Sequence, residues 1–138
     1  MLLEIVTPER LLLSLEVEEV IAPGELGQFG VLPGHRPFFV ALGIGELIYK
    51  ANGKEQRLAI GGGFAEVLPD RVTVLADWAE LPEEIDLEKA RTQKEEAEAR
   101  LKELVPMDPE YDLTLRKLKE ALLRLQVGGQ SESSRTPR

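Results

Sequence analysis

Short apolar runs separated by turn residues fill the chain as far as Pro82. The runs are rich in Val, Ile, Leu and Phe, which is typical of β-strands. Asn52-Gly53 lies between two of them and predicts a hairpin, because this pair tolerates the positive φ of a tight turn. No helical pattern interrupts the runs, so we expect an antiparallel sandwich or barrel. The predicted strands are residues 2–7, 11–17, 19–22, 38–42, 46–50, 56–60, 64–68 and 71–76.

From Asp86 the apolar spacing becomes helical. The first predicted helix has two alanines and a lysine in its stripe, so this face offers little area for burial and is expected to be loosely held. A second helix is predicted from Asp108 as N-cap and Pro109 at the first position, and Gly128-Gly129 is expected to end it. The two stripes are Leu87, Ala90, Lys94, Ala97, Leu101 and Leu104, then Tyr111, Leu115, Leu118, Leu122 and Leu125.

These patterns predict three regions. Residues 1–82 form the all-β domain, and residues 83–127 form an antiparallel two-helix hairpin, because the break between the helices is short. Residues 128–138 are polar and unpatterned, so we expect a disordered tail, either native or left over from cloning.

The composition of the chain excludes several kinds of binding and catalysis. The 138 residues include 17 basic and 25 acidic side chains, a formal charge of −8, which disfavours binding to nucleic acid. There is no cysteine and one histidine, so thiolate catalysis and metal sites built from these residues are excluded. We expect no catalytic residue, no metal and no cofactor, and carboxylates that are mainly solvated surface. The apolar runs are too short to span a membrane, and no signal peptide is recognisable.

A loop rich in glycine and proline runs from Pro23 to Pro37. Its prolines stiffen the backbone while its glycines permit tight turns, so a rigid exposed platform is expected. Leu26 and Phe29 either tuck under this loop or face a partner, and the residues alone favour tucking. His35 is interpreted as a hydrogen-bonded turn histidine.

The sequence resembles the epsilon subunits of F-type ATP synthases. The resemblance rests on four segments in this order: the loop just described, the stretch Gly61–Val67, the stretch Val72–Ala76 and a helical hairpin. The resemblance extends from about Glu4 to Val127 and implies a sandwich of about ten strands without a catalytic residue. It also implies a place in the central stalk, bound to the gamma subunit and the c-ring. The residues it places against the c-ring are Glu25, Leu26, Gln28 and Phe29.

The resemblance further implies two states of the hairpin. In the compact state it packs on the sandwich, and in the extended state the second helix reaches the alpha and beta subunits and blocks ATP hydrolysis. We expect basic side chains of this helix to face acidic residues of beta, namely Arg116, Lys117, Lys119 and Arg124. The alternative is a solvated face that complements the helix dipole.

Some relatives bind ATP through a motif of the form I/L-D-x-x-R-A. Residues Ile85–Ala90 match it except that Lys89 replaces arginine, so the planar fork for phosphate is lost. Arg91 and Arg124 could partly replace the lost phosphate contacts. We expect weak or absent ATP binding. The simpler interpretation makes Asp86 a helix cap and Lys89 a surface residue.

Without the resemblance, two other classes stay open. A sandwich with a helical arm is compatible with a stand-alone adaptor or oligomerisation module, and a sandwich with a pocket is compatible with binding of a small ligand or with a hydrolase that uses carboxylates. Under the resemblance, the chain is expected on the cytoplasmic face of a bacterial plasma membrane, peripherally attached through its complex. A bacterial host is favoured over an organelle because no transit segment is recognisable.

Overall fold

The computed structural model describes the backbone of residues 1–135 and the side chains of residues 1–129. The chain divides into two units, Met1–Glu80 and Leu81–Arg138. The first unit contains strands only, and the second begins with a single 3₁₀ turn at Pro82–Glu84. The elements are β1 (Leu2–Val6), β2 (Leu11–Glu16), β3 (Glu19–Gly24), β4 (Gly27–Val31), β5 (Phe38–Ala51), β6 (Lys54–Leu68), β7 (Arg71–Ala76), β8 (Ala79–Glu80), α1 (Leu87–Glu103) and α2 (Pro109–Arg135).

The predicted fold class is confirmed: an antiparallel β-sandwich is followed by two helices. The strand order is β2-β1-β7-β6-β5-β3-β4, and β8 pairs with β6. All pairs are antiparallel except β1 with β7. The predicted Asn-Gly turn is present between β5 and β6, with φ of 53° at Asn52 and 76° at Gly53. Glu18 supports this turn, because its carboxylate accepts the Gly53 amide at 3.0 Å.

A change of partner along β6 produces the two layers. Residues 59–60 of β6 pair with β8, whereas residues 63–68 pair with β7. Between them lies the glycine triplet, with φ of 83° at Gly62 and 110° at Gly63. Side chains rarely adopt such backbone angles, so only glycine lets the strand bend here without strain. The β5–β6 hairpin can therefore contribute to both layers, as strands do at the corners of sandwiches.

The core of the sandwich follows the alternation of each strand. Positions 3 and 5 of β1 and positions 72 and 74 of β7 are buried while their neighbours are more exposed. This period of two places one face of each strand inside, which is the pattern of a half-buried sheet. The most deeply buried large side chains of this unit are Leu3, Ile5, Val20, Val31, Leu47, Leu58, Ile60, Val67, Val72 and Val74.

The eight strands are close to the ten expected, but their boundaries differ from the prediction. Predicted strands 38–42 and 46–50 are one strand, β5, and predicted strands 56–60 and 64–68 are one strand, β6. Their glycines look like breaks in the sequence, yet the ladder between β5 and β6 continues past them. Strand β4 lies in the segment interpreted as a turn platform, and β8 is a two-residue strand that the pattern does not reveal.

The hairpin of the second unit begins with the two predicted caps. The Asp86 carboxylate accepts the Lys89 amide at 3.0 Å, and the Asp108 carboxylate accepts the Glu110 amide at 2.9 Å. The predicted stripe of α1 is confirmed as its less exposed face, with Ala90 and Ala97 buried.

The predicted stripe of α2 is partly wrong. Leu122 is 44% exposed, whereas the neighbouring small side chain of Ala121 is fully buried. The reason is the small area that α1 offers, since its buried alanines favour small partners and a close approach of the helices. The buried positions of α2 include a series spaced by seven residues, namely Thr114, Ala121 and Gly128.

The predicted end of α2 at Gly128-Gly129 is wrong, because the helix continues to Arg135. Neither glycine has a positive φ. At Gly128 a Cβ atom would lie 2.8 Å from Leu87 and 3.0 Å from Ile85, so glycine is needed there for close packing and not for a stop. The tail predicted from residue 128 therefore does not begin there, and residues 136–138 lie outside the described residues.

Candidate functional site

The β3–β4 hairpin carries the four residues that the resemblance places against the c-ring. Gly24 pairs with Gly27, which leaves Glu25 and Leu26 at the turn. The Leu26 side chain is 103% exposed, so the expectation from the residues alone that it tucks under the loop is wrong. The amide of Glu25 donates to the Ala41 carbonyl at 2.9 Å and joins this turn to β5.

Aromatic side chains support this hairpin from one side. Phe29 is half-buried and meets Phe38 edge to face, with ring centroids 5.7 Å apart. Phe38 also meets His35 at 5.0 Å, and Nδ1 of His35 lies 3.0 Å from the Arg36 carbonyl. Phe29 therefore tucks partly as expected, while Gln28 is exposed. His35 therefore has the hydrogen-bonded turn position predicted for it, and its packing on the Phe38 ring is an additional contact.

A second surface was not found by sequence reasoning. Phe39 and Phe64 stack at 5.3 Å with an interplanar angle of 17°, yet they are 64% and 49% exposed. Leu75 is paired with Phe64 in the ladder and is 50% exposed. Leu11, on β2, is 56% exposed. We call these four residues the outer patch: Phe39, Phe64, Leu75 and Leu11.

The register explains why the outer patch is continuous. Phe64 lies opposite Leu75, Leu75 lies opposite Val6, and Val6 lies opposite Leu11, so the members share the outer face of one layer. The next pairs along the same face are polar, with Glu66 opposite Thr73. A large apolar area with a polar border is typical of a surface that binds another protein. In the sequence, the outer patch is indicated only by aromatic and aliphatic residues at strand positions where the alternation predicts polar ones.

The four basic residues predicted to act on a partner do not form one group. Lys117 and Arg124 line a cavity of about 450 Å³ between α1 and α2, together with Arg100. Arg116 and Lys119 are exposed and do not line this cavity. Acidic residues also line it, among them Glu96 and Glu110, so its charge is mixed.

The residues predicted to bind nucleotide also lie at different places in the hairpin and do not form one group. Asp86, Lys89 and Arg91 line a shallow groove of about 510 Å³ that does not include Arg124. The Asp86 carboxylate already caps α1, Ala90 is buried, and Ile85 packs beside Gly128. The structure therefore places Asp86 in its simpler role as a helix cap. Among the side chains of residues 1–129, no group of three acidic or histidine residues is arranged to hold a metal ion.

An ion pair joins the helices beside their connection. Arg100 donates from Nε and Nη2 to the two carboxylate oxygens of Glu110, each at 2.8 Å, and from Nη1 to Glu103 at 2.9 Å. Hydrogen bonding to Arg100 holds the pKa of Glu110 below its ordinary value, although burial opposes this shift. The same contacts, first with Glu110 and then with Glu103, raise the pKa of Arg100. The pair is thus retained at pH values where an isolated glutamate begins to protonate, and it is lost as the pH falls through the lowered pKa.

In the described part of the chain, neither helix combines the length and the apolarity needed to span a membrane.

Comparison with known families gives two adjoining matches. Residues 1–82 match the model of the ATP synthase Delta/Epsilon chain, beta-sandwich domain. Residues 83–129 match the model of the ATP synthase Delta/Epsilon chain, long alpha-helix domain. The two models together cover residues 1–129, as far as the side chains are described.

Curated relatives and solved structures agree with these matches. The chain is 48% identical over 128 residues to the ATP synthase epsilon chain of Geobacter sulfurreducens and 49% identical to that of Geobacter metallireducens, covering 93% of each chain in both cases. A chain in the Euglena gracilis mitochondrial ATP synthase (OSCP/F1/c-ring, rotational state 1) is 27% identical with a TM-score of 0.67, covering 96% of this chain and 79% of that one. A chain in the central stalk/c-ring structure of Tetrahymena thermophila mitochondrial ATP synthase is 14% identical with a TM-score of 0.60, over 92% and 95%, and supports the fold alone.

Proposed function

The chain belongs to the delta/epsilon family of ATP synthase subunits, and from this premise we propose that it is a non-catalytic rotor subunit that couples gamma to the c-ring. The observation that carries the proposal is the match of both domains, in order, over residues 1–129. A solved relative with a TM-score of 0.67 is part of an F1/c-ring assembly, which supports the same place for this chain. The assembly would hold the chain peripherally at the cytoplasmic face of a bacterial plasma membrane.

Two separate surfaces of the sandwich suit two partners. We assign the outer patch to gamma, because stacked, half-exposed aromatic rings are the kind of residue that dominates protein interfaces. We assign the β3–β4 tip to the c-ring, since Leu26 projects fully and Glu25 and Gln28 offer polar groups to loops at a membrane surface. Phe29 would then act from behind, through its contact with Phe38.

Co-purification tests the coupling role. A tagged full-length chain, expressed with gamma and the c subunit of the same organism, is expected to retain both after washing at moderate salt. An untagged preparation controls for non-specific retention. Isolation of the chain alone, or as a complex with unrelated proteins, would favour a stand-alone adaptor and contradict the stalk assignment.

We propose that α2 also inhibits ATP hydrolysis by reaching the alpha and beta subunits in an extended state. Support comes from the exposed cations Arg116 and Lys119, which are available for acidic residues of beta, and from Lys117, which is also exposed. Arg124 lies half-buried at the cavity between the helices. In the extended state all four would become available at once, which makes the separation of the helices part of the inhibitory step.

Truncation after Leu104 is expected to raise ATP hydrolysis by the assembled complex several-fold, because it removes α2 entirely. Charge reversal of the four cations is expected to reproduce part of this rise. Hydrolysis is measured with the reconstituted complex under conditions that favour the extended state. The neutral change Leu113→Gln, at a 52% exposed position of α2, is the matched control and should leave the rate unchanged. Equal rates for the full-length and truncated forms would contradict the inhibitory role.

We further propose that nucleotide binding by the isolated chain is weak or absent. The motif lacks its arginine, and the remaining candidates are divided between a groove and a separate cavity. Calorimetric titration with ATP is expected to give a dissociation constant in the millimolar range or no heat. Restoring the motif with Lys89→Arg should tighten binding if this position is the limiting one, whereas micromolar affinity of the unmodified chain would refute the proposal.

A further inference from the structure

The contact between Arg100 and Glu110 is built differently from two neighbouring ion pairs of the hairpin. Lys94 with Glu98 and Arg100 with Glu103 join residues of the same helix. Arg100 with Glu110 joins the last turn of α1 to the first turn of α2, and does so through two parallel hydrogen bonds of 2.8 Å. Two-pronged pairs of this kind fix the orientation of both groups, which a single charge contact does not.

The face that α1 contributes to the seam between the helices offers little buried apolar area. Its buried members on α1 are the alanines at positions 90 and 97. The buried positions on α2 are Thr114, Ala121 and Gly128, together with the larger side chains of Leu123 and Val127. Alanine and glycine remove much less apolar area from water than leucine does, so each contributes a small share of the hydrophobic stabilisation. A directional polar contact therefore accounts for a larger part of the preference for the closed hairpin than it would beside a leucine seam.

The electrostatic setting also favours this position. Arg100 lies near the C-terminus of α1, where the helix dipole is negative, and Glu110 lies near the N-terminus of α2, where the dipole is positive. Each charge is thus favourable for its own helix, and the pair forms only when the two ends lie together. In this way the contact links the stability of the helix ends to the closure of the hairpin.

We propose that the Arg100–Glu110 pair is a latch that sets the equilibrium between the closed hairpin and a form in which α2 has separated from α1. The connection from Leu104 to Asp108 acts as the hinge, and Arg100 and Glu110 flank it. Loss of the pair leaves both helices formed but raises the population of the open form. The consequence for ATP hydrolysis rests on the proposed inhibitory function, whereas the latch itself is a property of the isolated chain.

Distance measurement on the full-length chain tests the latch. The sequence has no cysteine, so Thr92→Cys on α1 and Leu122→Cys on α2 give two unique positions for spin labels. Pulsed dipolar spectroscopy then reports the fraction of long distances. Glu110→Gln is expected to raise this fraction at least three-fold, while circular dichroism shows that the helix content is retained.

Three variants separate the latch from simpler explanations. Asp112→Asn removes another first-turn carboxylate of α2, and Glu103→Gln removes the partner of Arg100 within α1, so both should keep the wild-type distances. The exchange of charges, Arg100→Glu with Glu110→Arg, should be more closed than either single change, which is the signature of a direct coupling.

The outcomes divide as follows. Equal opening by Asp112→Asn and Glu110→Gln would overturn the latch in favour of a helix-dipole effect, and an exchange variant no more closed than the single variants would overturn the direct pairing. Unchanged distances for Glu110→Gln would also refute it. If the distances shift as expected but hydrolysis by the assembled complex does not, the latch stands and the inhibitory function fails.

Discussion

Replacement of Phe64 by glutamate is expected to weaken binding to gamma at least 100-fold. Phe64 stacks on Phe39 and lies opposite Leu75, which places it at the middle of the outer patch. Truncation of a central aromatic residue in an interface commonly costs about 2–4 kcal/mol, and a buried unpaired charge adds to this loss. Surface plasmon resonance with immobilised gamma measures the change directly.

A second substitution on the same sandwich serves as the control. Leu26→Glu introduces the same charge at an exposed leucine outside the outer patch, and it should leave gamma binding within two-fold of wild type. It is expected instead to reduce retention of the c-ring. Because Phe64 is 49% exposed, its replacement should also leave the sandwich folded, with an unchanged midpoint of urea denaturation. Full gamma binding by the folded Phe64→Glu chain would contradict the assignment of the outer patch.

Replacement of Gly63 by alanine is expected to destabilise the sandwich by about 3–5 kcal/mol, the sum of backbone strain and overpacking. Gly63 has φ of 110°, which other residues rarely adopt. A Cβ atom there would overlap the Leu75 carbonyl oxygen and lie 2.8 Å from Cα of Ala76, and both atoms belong to the backbone. Backbone atoms of a paired strand cannot move aside without breaking the β6–β7 ladder.

Alanine substitutions at two other glycines distinguish backbone strain from overpacking. Gly53→Ala keeps the unfavourable angle, φ of 76°, but meets nothing within 4 Å, so it isolates the conformational cost of about 1–2 kcal/mol. Gly129→Ala lies in α2 with open space around it and should be neutral or slightly stabilising. Urea denaturation followed by the fluorescence of the single tryptophan, Trp78, reports on the first unit and compares the two sandwich variants, while far-ultraviolet circular dichroism reports on the helices for Gly129→Ala. A Gly63→Ala midpoint equal to that of Gly53→Ala would contradict the predicted clash.

Sequence patterns predicted the class of each element better than its ends. Alternation and the Asn-Gly turn predicted the sheet, and the helical spacing with Asp86 and Asp108 as caps predicted the hairpin. Glycine was misread in the same way in both units, as the end of an element: the residues near Gly61 do not end strand β6, and Gly128 does not end helix α2. In both cases the glycine is required by a neighbour that is distant in sequence, Trp78 for Gly61 and Leu87 for Gly128, and a local pattern contains no information on such neighbours.

Of the candidate surfaces, one was found from the sequence and the other only from the structure. The sequence singled out the β3–β4 segment through its dense glycines and prolines, but it favoured the wrong orientation for Leu26. It did not find the outer patch, because Phe39, Phe64 and Leu75 belong to three different strands and become neighbours only through the register of the sheet. Equally, the separation of ten residues between Arg100 and Glu110 gives no sign of a two-pronged contact.

By itself the sequence determined the order of a sheet domain and a helical hairpin and the absence of cysteine chemistry, because these follow from local periodicity, caps, turns and composition. The family was indicated separately, by the resemblance of three motifs and their order. Only the tertiary structure decided which apolar residues stay outside, which small residues form the helix seam and which charges meet. Those outcomes depend on pairing between segments far apart in the chain, where strand register and the closeness of two backbones fix the neighbours of each side chain.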